Sequence, residues 1–180
     1  MIRLFVGLEL PSELAERVAA LGFGLPGARW VSARNLHLTL CFVGEVDEGV
    51  AEDIHHALAD LSLPAFAMNP EGFGMFGDRH RAHTLWLGVE RSEALDRLAA
   101  KAVSAVTLAG VRPDGRKFNP HITLARLKDS RPDRIQAFVA ANAGFTAPPV
   151  AVDHVALFRS TLTRQGAEYD VLERYPLTRL

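Results

Sequence analysis

The sequence predicts an α+β protein, in which antiparallel strands and amphipathic helices are mixed without a strict strand–helix–strand alternation. Apolar residues recur at every second position in several short stretches, which is typical of strands. Between those stretches they recur three and four residues apart, which is typical of helices. A length of 180 residues and a hydrophobic content of 48% suit one compact unit with a buried core. We therefore expect residues 1–180 to form a single domain.

The first half of the chain is predicted to contain two strands and two helices. Residues 2–8 form the first strand, and Ser12 is the expected cap of the helix that follows. The second strand alternates over residues 36–43, which puts its even-numbered residues on one face and its odd-numbered residues on the other. A second helix begins at Asp47. The Gly- and Phe-rich residues 70–78 are predicted to form a loop.

The second half repeats this mixture of elements. Residues 83–89 form a strand, and a third helix follows and ends near Gly110. A strand over residues 121–126 precedes a short helix over residues 135–139. Residues 150–158 and 168–177 are expected to pair as antiparallel strands.

Composition argues against several classes of protein. A net charge of −1 disfavours a protein that coats long stretches of nucleic acid, although one or two phosphates are still within reach. Cys41 is the only cysteine, which excludes an intramolecular disulfide and a zinc cluster of thiolates. The first apolar stretch is interrupted by Glu9 too soon for a signal peptide or a membrane span. We expect a cytoplasmic protein without membrane contact.

A repeated tetrapeptide is the strongest signal in the sequence. His37-Leu38-Thr39-Leu40 recurs as His121-Ile122-Thr123-Leu124, each time on a predicted strand. From 7 His and 8 Thr in 180 residues, chance predicts roughly 0.3 His-x-Thr matches. Residues i and i+2 of a strand share a face, so each copy presents an imidazole beside a hydroxyl. The sequence therefore predicts two matching half-sites.

Two such half-sites suit phosphodiester chemistry. A neutral imidazole can take a proton from a nucleophile, while a protonated one gives a proton to the leaving alkoxide. Threonine hydroxyls can hydrogen-bond the non-bridging oxygens, where negative charge is held in the transition state. No metal ion and no cofactor are expected.

In order and spacing, these motifs and their flanks resemble the 2H phosphoesterases, and among them the bacterial LigT-like RNA 2′,3′-cyclic phosphodiesterases, also called 2′-5′ RNA ligases. The resemblance rests on residues 3–8, 35–44, 85–89, 118–126 and 158–160, with Gly166 and Tyr169. It implies a fold of two pseudo-symmetric lobes, each with a related antiparallel sheet and flanking helices, around a central cleft. It also implies metal-independent hydrolysis of RNA 2′,3′-cyclic phosphate ends to 2′-phosphomonoesters, with 2′-5′ ligation as the reverse activity. RNA ends, with tRNA fragments as candidates, are the implied substrates.

The resemblance also implies roles for particular residues. His37 and His121 are the catalytic pair, with His37 as the acid and His121 as the base or the reverse, and Thr39 and Thr123 bind the phosphate. Arg126 is implied as a further phosphate contact and Phe42 as an aromatic for stacking on a base. Strict alternation puts Phe42 and Arg126 on the face opposite the histidines, so a bulge or a strand end is needed to bring them round.

Several alternatives stay open. The enzyme could act on a small cyclic nucleotide, such as an ADP-ribose cyclic phosphate, or the chain could be a nucleotide- or RNA-binding module that has lost turnover. A histidine-based metal protein is disfavoured, because neither motif has carboxylates at ligand spacing. No obligatory protein partner is indicated, and we expect a monomer. The remaining candidates are interpreted as a solvated basic turn or a contribution to the cleft (Arg79, His80, Arg81 and His83) and as structural residues (Cys41 and His154).

Overall fold

The computed structural model describes residues 1–78 and 80–179, in which antiparallel strands predominate. Eight strands form one large sheet and two form a small one. The strands are β1 (Ile2–Glu9), β2 (Ala28–Trp30), β3 (His37–Val46), β4 (Phe66–Met68), β5 (Pro70–Gly77), β6 (Ala82–Val89), β7 (His121–Ser130), β8 (Val150–Val152), β9 (His154–Thr163) and β10 (Gly166–Pro176). Each pairing between two of these strands is antiparallel.

Four α-helices contribute to one core on one face of the large sheet. Their buried apolar residues join the buried residues of the strands in a single cluster that includes Leu38 and Ile122. On the other face, Phe5, Ala156 and Phe158 form a separate small cluster. The helices are α1 (Ser12–Ala19), α2 (Glu48–Ala59), α3 (Glu93–Leu108) and α4 (Pro132–Ala141), and a short 3-10 helix covers Ala33–Asn35. No helix in the described ranges is long and apolar enough to cross a membrane.

The large sheet consists of two four-stranded halves. One half has the order β10-β9-β1-β3, and the other has β7-β6-β5 with β2 beside β7. The halves meet where β3 and β7 pair, and that pairing is limited to Leu38 and Ile122. This arrangement confirms the predicted α+β class with two related antiparallel sheets and flanking helices. That residues 1–180 fold as a single domain stays a prediction.

The predicted loop over residues 70–78 is wrong, because most of it is the edge strand β5. Its glycines mark places where the strand is distorted or closely approached, and both patterns resemble turn signals in the sequence. Gly72 has φ of +69° and lies in a break of the β5–β6 register. Gly74 leaves room for the indole of Trp86, which a Cβ at this position would overlap.

Two further predictions are corrected. Residues 150–158 are not one strand, because the strand is interrupted at Asp153. The part before the break, β8, pairs with β4 in the small sheet, and the part after it, β9, pairs with β1 and β10. The apolar pattern continues across the break and therefore gives no signal of it. Ser12 does not cap α1, since Pro11 occupies the N-cap position and no side chain closes the first turn.

Candidate active site

The two His-x-Thr motifs lie side by side at the centre of the sheet. Their middle residues, Leu38 and Ile122, are partners across β3 and β7 and are fully buried in the core. Because side chains alternate along a strand, the residues before and after each of them point to the opposite, open face. His37, Thr39, His121 and Thr123 are therefore brought together around one point on that face.

A β-bulge follows each motif at the same position. In β3, Val6 pairs with Cys41 and Gly7 with Thr39, so Leu40 has no partner in β1. In β7, Leu124 is skipped in the same way in the pairing with β6. Both bulges put two consecutive residues into the core, and the strand then resumes its alternation one residue out of phase. The two motifs thus share their backbone distortion as well as their residues.

The bulges bring Phe42 and Arg126 to the same face as the histidines. Each residue is five positions after its histidine, and both side chains are exposed. Phe42 lies opposite Phe5, whose ring contacts that of His37, and Phe42 is 60% exposed. Arg126 donates from Nη1 to the Thr84 hydroxyl at 3.2 Å. The bulge that is needed to bring both residues to this face is therefore present, while their roles stay predictions.

Aromatic rings and a backbone carbonyl hold His37 in one orientation. Its Nδ1 lies 2.7 Å from the carbonyl oxygen of Asn35 and its Nε2 lies 2.9 Å from the Thr39 hydroxyl. A carbonyl only accepts, so Nδ1 carries a proton and Nε2 is the atom whose proton can change. The rings of Phe5 and Tyr169 pack 4.7 Å and 5.0 Å from the imidazole, centroid to centroid.

His121 is held in a matching way from the other half of the sheet. Its Nδ1 lies 2.6 Å from the carbonyl oxygen of Asn119, two residues earlier, just as Asn35 precedes His37. Phe76 packs edge-on at 4.9 Å, and Trp86 lies 6.2 Å away on the neighbouring strand. The Nε2 atom of each histidine is therefore the one that can gain or lose a proton.

The surroundings shift the pKa of both histidines downward. Burial among the aromatic rings lowers the pKa of His37 to about 4, and the positive charges of His121 and Arg126 act in the same direction, against the hydrogen bond to Asn35. Burial also lowers the pKa of His121, with a further contribution from the charge of Arg126. In the free protein at neutral pH, both imidazoles are therefore mostly neutral.

A cavity of about 560 Å³ opens beside His37. It lies between β10, the 3-10 helix and the start of α1, and Tyr169 forms part of its wall. Two ion pairs border it: Arg34 with Asp170 at 3.1 Å, and Arg174 with Glu9 at 2.7 Å. The site thus has room on its His37 side for a group larger than a phosphate.

Among the described residues, the other sequence candidates make no hydrogen bond or ring contact with His37 or His121, although His83 and Arg126 both bond the Thr84 hydroxyl. The bulge at Leu40 turns Cys41 into the core, contrary to the expected alternation, and burial raises the pKa of its thiol to about 11. His154 bridges Asp153 and Glu9, which fits the expected structural role. Of the basic turn, Arg79 lies outside the described residues. The other three basic residues are exposed at the β5–β6 turn and the start of β6: His80, Arg81 and His83.

Sequence reasoning missed the aromatic side chains that enclose the imidazoles. Phe5 and Tyr169 come from β1 and β10, and Phe76 and Trp86 come from β5 and β6, so they are far from the motifs along the chain. One shared feature next to the motifs was visible in the sequence. An asparagine stands two residues before each histidine, which makes the repeat Asn-x-His-x-Thr-Leu.

Comparison with known proteins agrees with this duplicated site. The model of the family described as LigT-like phosphoesterase matches the chain twice, over residues 8–86 and 87–169. The chain belongs to the LigT-like phosphoesterase family. A Thermotoga maritima relative named RNA 2′,3′-cyclic phosphodiesterase is 37% identical over 89% of this chain and 84% of its own length. An Escherichia coli relative of the same name is 31% identical over 98% of this chain and 97% of its own length.

The fold of this LigT-like phosphoesterase also resembles solved structures of the family. The crystal structure of E. coli LigT complexed with 3′-AMP superimposes with a TM-score of 0.78 at 30% identity and covers 98% of each chain. The two family matches meet within β6, between residues 86 and 87, so each contains one His-x-Thr motif. The family assignment and the two-part geometry of the site thus rest on separate observations.

Proposed function

We propose that this LigT-like phosphoesterase hydrolyses 2′,3′-cyclic phosphate ends of RNA, with His37 and His121 as the acid–base pair. One observation carries the proposal: two imidazoles lie on one face of the sheet, and each has its Nδ1 on a backbone carbonyl, so that Nε2 is the atom that can gain or lose a proton. The relatives named RNA 2′,3′-cyclic phosphodiesterase support the substrate class. The E. coli LigT complex with 3′-AMP supports a ribonucleotide as the ligand.

The proposed reaction is a single displacement at phosphorus. One neutral imidazole takes a proton from water as the water oxygen bonds to phosphorus. The bond from phosphorus to O3′ breaks, and the other histidine, as imidazolium, donates its proton to O3′. The phosphate stays on O2′, and proton exchange with solvent restores the two histidines. The matching geometry of the two half-sites is compatible with either histidine as the acid.

Charge on the phosphate is held by neighbouring donors. The hydroxyls of Thr39 and Thr123 lie on the same face as the imidazoles, and in the proposed reaction they donate to the non-bridging oxygens. The guanidinium of Arg126 adds a permanent positive charge, which contributes to the lowered pKa of both histidines. Phe42, exposed on the β3 side, offers a surface for the terminal base.

We expect the pH dependence of kcat/KM to be bell-shaped, with its alkaline limb below pH 6.5. The active form needs one imidazolium, and a lowered pKa means that this proton is lost at a lower pH than from free histidine. The alkaline limb of the kcat profile is expected at higher pH than that of kcat/KM, because the bound phosphodiester anion stabilises the imidazolium. Initial rates from about pH 4 to 9 test this. An alkaline limb of kcat/KM at or above the pKa of free histidine would contradict it.

Turnover is expected to survive chelation. In the proposed reaction, imidazoles supply the acid and the base, and hydroxyl and guanidinium groups supply the charge stabilisation, so no step calls for a metal ion. Within residues 1–78 and 80–179, no three His, Cys, Asp or Glu side chains are grouped so that they could hold one. The measurement compares rates on a cyclic-phosphate oligonucleotide before and after EDTA treatment. Loss of activity that a divalent ion restores would overturn the prediction.

Three finer points remain proposals: a cytoplasmic location, a monomeric state without an obligatory protein partner, and ligation of RNA through a 2′-5′ bond as the reverse reaction. The last follows from chemistry, because the 5′-hydroxyl of a second RNA can replace water as the nucleophile at the same phosphorus. Incubation with a 5′-hydroxyl oligonucleotide and a cyclic-phosphate oligonucleotide tests it. A longer product containing a 2′-5′ bond is the expected result.

A further inference from the structure

Two arginines lie opposite each other at the edge of the proposed site. Arg29 of β2 is the cross-strand partner of Arg126 of β7, and directly opposite residues of an antiparallel pair share a face. The next residue in β2, Trp30, points the other way and packs against Phe138 of α4. The side chain of Arg29 is therefore on the open face, where it is exposed.

Neither of these two arginines makes an ion pair in the described part of the chain, whereas some other arginines do. Arg34 pairs with Asp170, and Arg174 pairs with Glu9. Among the described residues, Arg29 makes no ion pair, and the side chain of Arg126 bonds to the neutral Thr84. Like charges directly opposite each other on paired strands repel, so this arrangement costs stability unless an anion is bound.

A third positive charge continues the pair. Lys128 follows Arg126 by two residues in β7, which puts it on the same face, and it is exposed. In the described part of the chain it pairs with no carboxylate, and the neighbouring Asp129 lies 4.0 Å from Arg81. Arg29, Arg126 and Lys128 thus form a positive patch on the open face, where β2 pairs with β7.

The position of the patch indicates which anion it binds. The bulge in β7 puts Arg126 on the same face as the histidines, and the proposed function assigns it to the phosphate under attack. Arg29 is one strand further out, about 4.5–5.5 Å away between Cα atoms. Long side chains can therefore span the separation of consecutive phosphates in a nucleic acid strand. An RNA end has such a second phosphate, esterified to O5′ of its terminal nucleotide.

We propose that Arg29, with Lys128 beyond it, is a second phosphate subsite, which binds the phosphate on the 5′ side of the terminal nucleotide. The proposal rests on the proposed function and adds a determinant of substrate choice. A nucleoside 2′,3′-cyclic phosphate fills only the subsite at Arg126, whereas an RNA end fills both. The protein would therefore select substrates with a 5′ phosphate ester over nucleoside cyclic monophosphates.

The test compares adenosine 2′,3′-cyclic phosphate with the dinucleotide ApA that carries a 2′,3′-cyclic phosphate end. Arg29→Gln is expected to lose about tenfold more kcat/KM on the dinucleotide, the effect of one charge-assisted hydrogen bond to an accessible phosphate. The salt dependence of kcat/KM on the dinucleotide should also weaken, by about 0.7 in the slope of the double logarithmic plot. A matched control is Arg134→Gln, an exposed arginine on α4, which packs on the core side of the sheet.

A third substrate, adenosine 2′,3′-cyclic phosphate with a 5′-phosphate, separates recognition of the phosphate from recognition of the second nucleoside. If Arg29→Gln is as harmful on this compound as on the dinucleotide, the phosphate subsite is supported. Equal losses on all three substrates, or no loss on any, would overturn it. If the wild type hydrolyses none of them, the proposed function fails, and dissociation constants of the same compounds for wild type and Arg29→Gln then decide on the subsite by the same tenfold criterion.

Discussion

Replacing either His37 or His121 by Ala is expected to lower kcat by about 10²–10⁴-fold, and the double variant is expected to be little worse than either single variant. One histidine removes a proton and the other donates one in the same displacement, so each is ineffective without the other. Neither histidine belongs to the main buried core cluster, so truncation is expected to leave that core intact. Steady-state rates on a cyclic-phosphate oligonucleotide, with thermal unfolding as a check, measure the effect.

A control for this prediction is His56→Ala, because His56 is an exposed histidine on α2, away from the open face. It should retain wild-type rates. Near-wild-type turnover by folded His37→Ala or His121→Ala would show that the motifs bind rather than catalyse. The alternative of a nucleotide- or RNA-binding module without turnover would then be favoured.

Arg126→Ala is expected to lower kcat/KM by about 10–100-fold, because a hydrogen bond to a charged group contributes about 1.5–3 kcal/mol. A second effect distinguishes a charge beside the imidazoles from a merely structural arginine. Removing this charge takes away a repulsion that lowers the pKa of both histidines. Both limbs of the kcat/KM profile should therefore move to higher pH.

Arg126→Lys separates charge from geometry. Lysine keeps the positive charge but cannot donate in the bidentate manner of a guanidinium, so the limbs should stay near their wild-type positions while kcat/KM recovers only in part. Arg134→Ala on α4 is the matched control and should change neither quantity. If Arg126→Ala leaves the kinetics unchanged, another basic residue of the site binds the phosphate.

The central features of the site could be predicted because they depend on local sequence. The period-two alternation around His37 and His121 is enough to put an imidazole and a hydroxyl on one side of each strand. The recurrence of the motif is enough to suggest two half-sites. The fold class follows from the same periodicities, since they separate strands from helices over most of the chain.

The bulges could not be predicted from alternation alone. Each lies at two consecutive apolar residues, Leu40-Cys41 in β3 and Leu124-Ala125 in β7. In a sequence, such a pair resembles an ordinary interruption of the pattern. In the structure, both residues of the pair are buried and the strand shifts its phase. As a result, Phe42 and Arg126 lie on the same face as the histidines, whereas Cys41 lies on the core face.

The features that depend on distant parts of the chain could not be predicted from the sequence either. The aromatic side chains around the imidazoles come from strands that become neighbours only through the topology of the sheet. Strand β5 was predicted as a loop because Gly72 and Gly74 look like turn residues, whereas Gly74 is needed for the close approach of Trp86. The register that sets Arg29 opposite Arg126 involves a strand of only three residues, too short for periodicity to detect.

The most direct test of the account is to incubate chelator-treated wild-type protein with an oligonucleotide that ends in a 2′,3′-cyclic phosphate and to follow the phosphorus by ³¹P NMR. The account predicts that the cyclic phosphate signal is replaced by that of a 2′-phosphomonoester, and that His37→Ala and His121→Ala leave the cyclic signal in place over the same time. A persistent cyclic signal with wild-type protein that binds the oligonucleotide would contradict the account, and so would a product with the phosphate on O3′.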